Sequence, residues 1–333
     1  MRRRIRLFIL VTLFMLAKTG TAQIAIIDSI IAPSSLQSIV ETLAHDSMQG
    51  RLVTTREAYQ AAVIIADEFH YANALPLAGN DGYLMSFYSK VGAITNVIAA
   101  IPGKSKKQEL VLFSAHYDHV GTLTSRQSHL PEKVNPKIGD EIYNGANDNA
   151  SGVSGLIHLA RYFAHIRNNE RTLIFIAFSG EEEGLVGSER MARSFDPKAV
   201  IAMINMDMIG RGIQNNDHPY ITGSERSNLQ TILNKKLFEL APEYGKKFFN
   251  PDHFITEHLF KRSDNYWFAV NGIPAHTIMT SSPFDLYYHS LNDEANTLDY
   301  ELMAKVVKAI ALGCTGLVNG SDTPTRINPS DLR

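Results

Sequence analysis

The stretch LIFIAFSGEEEGLVGS, residues 173–188, joins six apolar residues to Ser179-Gly180 and then to Glu181, Glu182 and Glu183. An apolar, β-rich run ended by Ser-Gly is a strand leaving a core. Three adjacent carboxylates repel one another, and their ordinary place is a solvated loop. Whether that ordinary reading holds depends on what stands at the ends of the other strands.

Outward from this stretch the chain alternates. Val97–Ile101, Glu109–Ala115, Ala199–Met206 and Ile273–Met279 are further strand-like runs. Ser35–Leu75 is mostly helical in pattern, with Ala61, Ile64, Ile65 and Phe69 at helix spacing. From Ser151 the residues Val153, Leu156, Ile157, Ala160 and Phe163 mark an amphipathic helix, and Glu225–Leu240, Ser263–Val270 and Asp299–Val318 fit others. Strands alternating with helices predict an α/β fold, a three-layer sandwich with a mixed, largely parallel central sheet flanked by helices. In such sheets the ligand site lies beyond the carboxyl ends of the strands.

Those ends carry a pattern. His116-Tyr117-Asp118 follows ELVLFSA, Glu181 and Glu182 follow LIFIAFSG, and Asp207 follows AVIAMINM. Asp148 lies just before the amphipathic helix, and His289 follows the last strand-like run. Two imidazoles and three carboxylates without a thiolate suit Zn²⁺, with Mn²⁺ or Co²⁺ also possible. Five ligands and a spare glutamate exceed what one ion needs and fit two ions sharing a bridge, ~3.5–4 Å apart. Cations there would offset the carboxylate repulsion. A carboxylate beside the ions but not bound to them can move a proton.

The rest of the chain sets limits. A formal net charge of −2 with interspersed signs gives no electrostatic case for nucleic acid or an anionic membrane. Arg2-Arg3-Arg4, the apolar run Leu7–Ala17 and the small residues Thr19–Ala22 have the layout of a signal peptide over 1–22. The expected protein is therefore exported, periplasmic or extracellular, without a membrane anchor after cleavage. Residues 23–318 are expected to form one catalytic domain with an N-terminal helical part at 35–75, and 319–333 a loosely ordered tail. Cys314 is the only cysteine, so no disulfide forms within the chain. Of the twelve histidines, most read as surface or packing residues, His119 as a loop residue and His276 as core; Trp267 reads as packing.

Six motifs stand in order: SAHYDHVG, YNGANDNASG, SGEEEGLVGS, NMDMIGR, RSDNYWFAVNGIPA and YYHS, preceded by LAHDSMQGR at 43–51 and TNVIAAIPG at 95–103. With them the chain resembles the secreted two-zinc aminopeptidases of metallopeptidase family twenty-eight, related to glutamate carboxypeptidases and more distantly to glutaminyl cyclases. The resemblance implies a zinc-exopeptidase-like fold acting on peptide substrates. It implies His116 and Asp207 on one zinc, Glu182 and His289 on the other, and Asp148 as the bridge. Glu181 matches the general base that takes a proton from the shared water, and Asp118 the partner that orients His116. The peptide after the bridging aspartate, Asp148–Asn149, is expected in cis. A glutaminyl cyclase-like transferase with one zinc is the alternative.

Two departures from the family stand out. Ser263-Asp264-Asn265 replaces the usual Ser-Asp-His, and Phe260 stands where some relatives place a tyrosine that holds the oxyanion. Tyr287 and Tyr288 are the candidates to replace it. Thr122–Tyr143 and Ile213–Lys261 are expected to form the rim and the pocket for the N-terminal side chain.

Overall fold

The computed structural model describes residues 25–125, 139–213 and 218–332. The expected signal peptide lies outside them, as does most of the expected rim segment between Thr122 and Tyr143. Nine strands form one sheet: β1 (Leu75–Pro76), β2 (Leu84–Ser89), β3 (Gly92–Ile101), β4 (Lys106–His116), β5 (Arg171–Phe178), β6 (Val200–Met206), β7 (Tyr220–Ile221), β8 (Asn250–Pro251) and β9 (Ala275–Met279). Their order is β1-β3-β5-β4-β6-β9-β7-β8, with β2 paired to β3. The centre, β5-β4-β6-β9, is parallel throughout. The flanking β3 and β7 join it antiparallel. The sheet is thus mixed, with a parallel middle.

β5 explains why the middle is parallel. Leu173, Phe175 and Ala177 pack with the helices of one face, while Ile174, Ile176 and Phe178 pack on the other. A strand apolar on both sides needs a helical layer on each. On the first face lie α1 (Pro33–Leu43), α2 (Arg56–Tyr71), α3 (Gly152–Ile166), α5 (Leu229–Leu240) and α7 (Tyr300–Gly313). The second face is thinner, with α4 (Val186–Ala192) and α6 (Asn265–Val270). Burial of each large apolar side chain is worth ~1.5–3 kcal/mol, so β5 alone anchors both layers. Thr55 and Asp299 cap α2 and α7 by accepting the N–H groups of Ala58 and Leu302.

The N-terminal helical stretch is broken between α1 and α2, where Gln49 and Gly50 adopt positive φ of 45° and 66°. A Cβ at Gly50 would lie 2.2 Å from the carbonyl oxygen of Gly121, so only glycine admits this approach. The following Arg51 is buried and donates to the carbonyls of Leu43, Asn144, Gly145 and Tyr117 at 2.5–2.9 Å. The LAHDSMQGR motif is therefore a clamp on the loops that carry the site.

The tail from 319 is a correction. It has little regular structure, yet it is tied down. Ile327 and Leu332 are buried in the second face, and Arg326 donates to the carbonyls of Val200 and Pro197 at 2.6 and 2.8 Å. Buried Arg171 likewise holds the Asp322 carbonyl at 2.5 Å and the Thr323 hydroxyl at 2.7 Å. Among the described residues the second face has two short α-helices, and the tail covers what they leave open. Its polar composition concealed the two apolar anchors.

Candidate metal centre

His116 is the last residue of β4, Asp207 follows β6, and Glu181 and Glu182 follow β5 by way of Ser179-Gly180. The parallel register sets β4 between β5 and β6, so these three strand ends are neighbours. Asp148 comes from the turn leading into α3, and the Asp148–Asn149 peptide is cis. His289 arrives from the loop after β9. All five expected ligands and the expected base meet at one edge of the sheet.

Asp148 stands between two groups. Its Oδ1 lies 3.4 Å from His116 Nε2, which is 3.6 Å from Asp207 Oδ1. Its Oδ2 lies 3.1 Å from His289 Nε2, which is 3.0 Å from Glu182 Oε2. His116, Asp148 and Asp207 form one cluster able to hold a cation; Asp148, Glu182 and His289, joined by His119, form another. Burial works to raise the Asp148 carboxyl, but hydrogen bonds from His116 and His289 outweigh it and hold it well below the usual range. Glu182, also opposed by burial, is held down to about 2 by His289 and His119.

Glu181 behaves differently. It lines the same pocket as His116, Asp148 and Asp207, but neither cation-holding cluster includes it. Burial of its carboxyl, reinforced by the charges of Glu182, Asp207 and Asp264 against the pull of His116, pushes it well above the usual range. Two adjacent carboxyls are thus shifted in opposite directions.

Asp118 does more than face His116. Its carboxylate is 3.8 Å from His116 Nδ1, and its backbone carbonyl is nearer at 3.3 Å. The carboxylate instead accepts the backbone N–H groups of Glu181 and Glu182 at 3.2 and 3.3 Å. It therefore fixes the loop bearing both glutamates, while its carbonyl takes the Nδ1–H of His116 and turns Nε2 toward Asp148 and Asp207. Burial pushes the Asp118 carboxyl up to about 6 despite His116 and these two N–H groups.

Other supports had no role assigned from sequence. Asp293 accepts the N–H groups of Asn147 and Asp148 at 3.0 Å and a guanidinium N–H of Arg211 at 2.8 Å. Arg211 also pairs with Asp285 at 2.7 Å. The Arg closing NMDMIGR was the only visible hint of this ion pair, because Asp293 lies in an unremarkable polar turn. Beneath Asp207, the Ser263 hydroxyl donates to Oδ2 at 2.7 Å and itself accepts from Asn205 at 2.8 Å. Asn265 donates to the Phe260 carbonyl at 3.1 Å and accepts from Thr277 at 2.8 Å. The exchange of His for Asn at 265 thus falls on a scaffold residue.

Phe260 is buried against His276, 5.8 Å between ring centroids, and under the Arg226 guanidinium. Of the two candidate tyrosines, Tyr288 lines the pocket and stacks on His289 at 3.9 Å. Tyr287 sits under Arg211 instead. Burial, with the charges of Glu182, Asp148 and Glu181, raises the Tyr288 hydroxyl well above its ordinary value and keeps it a donor. His276 is core as expected, bonded to Ser227 and the Thr222 carbonyl.

This donor set, imidazole and carboxylate with one carboxylate shared, fits a pair of hard or borderline divalent cations and is consistent with zinc. The sheet and the clustered ligands at its carboxyl edge define a zinc-exopeptidase architecture. The profile of peptidase family M28 matches residues 96–313, and the chain belongs to that family. The probable zinc metalloprotease of Pyrenophora teres f. teres is 39% identical over 119 residues, covering 35% of this chain and 23% of that protein. The match thus spans under a quarter of that relative's length. Leucine aminopeptidase 1 of Trichophyton rubrum is 24% identical over 321 residues, covering 88% of this chain and 79% of that one. In fold, a zinc aminopeptidase from Bacillus subtilis aligns with a TM-score of 0.65 at 15% identity, covering 86% and 95% of the two chains. Glutaminyl cyclase from Porphyromonas gingivalis aligns equally well, at 0.66 and 18% identity over 86% and 99%. Fold alone does not separate the two activities.

Proposed function

We propose that the protein is an exported two-zinc aminopeptidase that removes N-terminal residues from peptides. The observation that carries this reading is Asp148, with one carboxylate oxygen turned to each cluster. His116 and Asp207 would hold one ion and Glu182 and His289 the other, and the pair would polarise the scissile carbonyl and make a water acidic.

Glu181 would accept a proton from the attacking water and return it to the leaving amine nitrogen. Two nearby cations would lower the carboxyl's raised affinity for a proton. The Tyr288 hydroxyl is the donor suited to the developing oxyanion. Met208, Leu259, Met279 and Pro283 line one side of the pocket, and this surface favours an apolar N-terminal side chain.

Metal analysis joined to rates on leucyl, aspartyl and N-terminal glutaminyl substrates tests the reading. Two zinc ions per chain and turnover of the leucyl substrate are expected. One ion with cyclisation of the glutaminyl peptide would replace the reading with a transferase.

A further inference from the structure

His119 received only a loop role from its sequence position, yet its side chain is fully buried beside the second cluster. Nδ1 lies 3.0 Å from Glu182 Oε1 and 3.9 Å from Asp148 Oδ2. His289 packs edge-on against the ring at 5.6 Å. On another side Gly145, at φ +59°, comes so close that a Cβ there would sit 2.5 Å from the imidazole carbons. The ring is confined, and Nδ1 faces the Glu182 carboxylate.

Two roles fit that distance. Nδ1 could lend its lone pair to a cation, or an Nδ1–H could donate to Glu182. The other ring nitrogen decides between them. Nε2 is buried and has no hydrogen-bond partner among the described residues. A ligating Nδ1 would place the proton on Nε2 and leave a buried N–H unpaired, whereas ligating histidines nearly always donate that group. A donating Nδ1–H leaves only an unprotonated nitrogen at Nε2, and orphaned acceptors are tolerated better than orphaned donors.

We infer that His119 is a positioning residue whose Nδ1–H donates to Glu182 Oε1 and leaves Oε2 to the second cation, and that it is not itself a ligand. Both Glu182 oxygens lie near His289 Nε2, Oε2 at 3.0 Å and Oε1 at 3.1 Å, and a donor held on Oε1 leaves Oε2 as the oxygen open to a cation. Glu182 is then gripped twice, by Asp118 at its backbone N–H and by His119 at its carboxylate. The inference rests on the two-metal reading above.

The test titrates metal-free wild type, His119→Ala and His119→Asn with Zn²⁺ by calorimetry and counts imidazoles on the zinc-loaded proteins by X-ray absorption. Wild type should take two ions. His119→Ala should bind the first as before and the second ~10–100-fold more weakly. His119→Asn, whose amide nitrogen falls near the Nδ1 position, should recover most of that loss. Wild type and His119→Asn should show the same number of imidazoles per zinc. Unchanged affinity at both sites in His119→Ala would overturn the inference, as would loss of an imidazole from the absorption spectrum of His119→Asn. If His119→Ala does not fold, His119→Leu fills the space without a donor and serves the same comparison. A wild type that takes fewer than two ions would instead bring down the two-metal reading, and this inference with it.

Discussion

Asp293 holds Asp148 by its backbone, accepting its N–H at 3.0 Å across 145 positions of sequence. The same carboxylate is fully buried and paired to Arg211. Asp293→Ala would leave Arg211 with Asp285 and the Thr297 hydroxyl, and two buried N–H groups without an acceptor. Breaking a buried pair from one side costs ~3–5 kcal/mol. Urea unfolding should show a loss of that size, with weaker zinc uptake at both sites because Asp148 serves both. Stability within 1 kcal/mol of wild type, roughly the spread of a typical surface substitution, would mean that the turn holds without its anchor.

Glu181→Gln and Glu182→Gln remove the same charge from adjacent positions. Glu181→Gln should keep both ions while kcat falls by ~10²–10⁴-fold, the usual worth of a general base. Glu182→Gln should lose affinity at one metal site first, and excess zinc should restore part of its activity. Zinc rescue of Glu181→Gln in steady-state assays would mean that the two roles are exchanged.

Acid should destabilise the protein through its core histidines. Burial depresses His158 and His276 from 6.5 to about 4. Between those values the unfolded chain binds protons that the native chain refuses, so stability is full above about 6.5 and falls as the pH drops toward about 4. Each group contributes a slope of up to ~1.4 kcal/mol per pH unit across that window. Urea midpoints from neutral to acid pH on wild type and His276→Gln should show the variant with the shallower decline. Parallel curves would remove His276 from the account.

Arg51→Lys tests the clamp. A lysine offers one ammonium in place of a planar fork that reaches four carbonyls on three segments. The substitution should cost several kcal/mol, on the order of ~3, in urea unfolding, as orphaned buried carbonyls add to a buried charge. Full stability would show that lysine and water satisfy the loops equally well.

The central strands and most of the side chains that cluster at their ends were legible because both are written locally. β5 is an unbroken apolar run, His116, Glu182 and Asp207 stand within a few residues of a strand end, and Asp148 stands just before a helix. The short strands β1, β7 and β8 were not legible, since two-residue pairings leave no periodicity. The N-terminal helical pattern hid the break at Gln49-Gly50, which depends on the carbonyl of distant Gly121. His119 and Asp293 escaped for a related reason. Their roles come from partners 63 and 145 positions away, and nothing beside them in the chain announces those partners.

The loop that supplies His289 and Asp293 follows His116, Asp148, Glu182 and Asp207 in the chain. A polypeptide extended only to Met279 already has His116, Asp148, Glu182 and Asp207, but its second cluster lacks an imidazole and the Asp148 turn lacks its acceptor. On the proposed two-metal reading, neither the second cation position nor the support of the Asp148 turn would be complete until the segment after Met279 has docked.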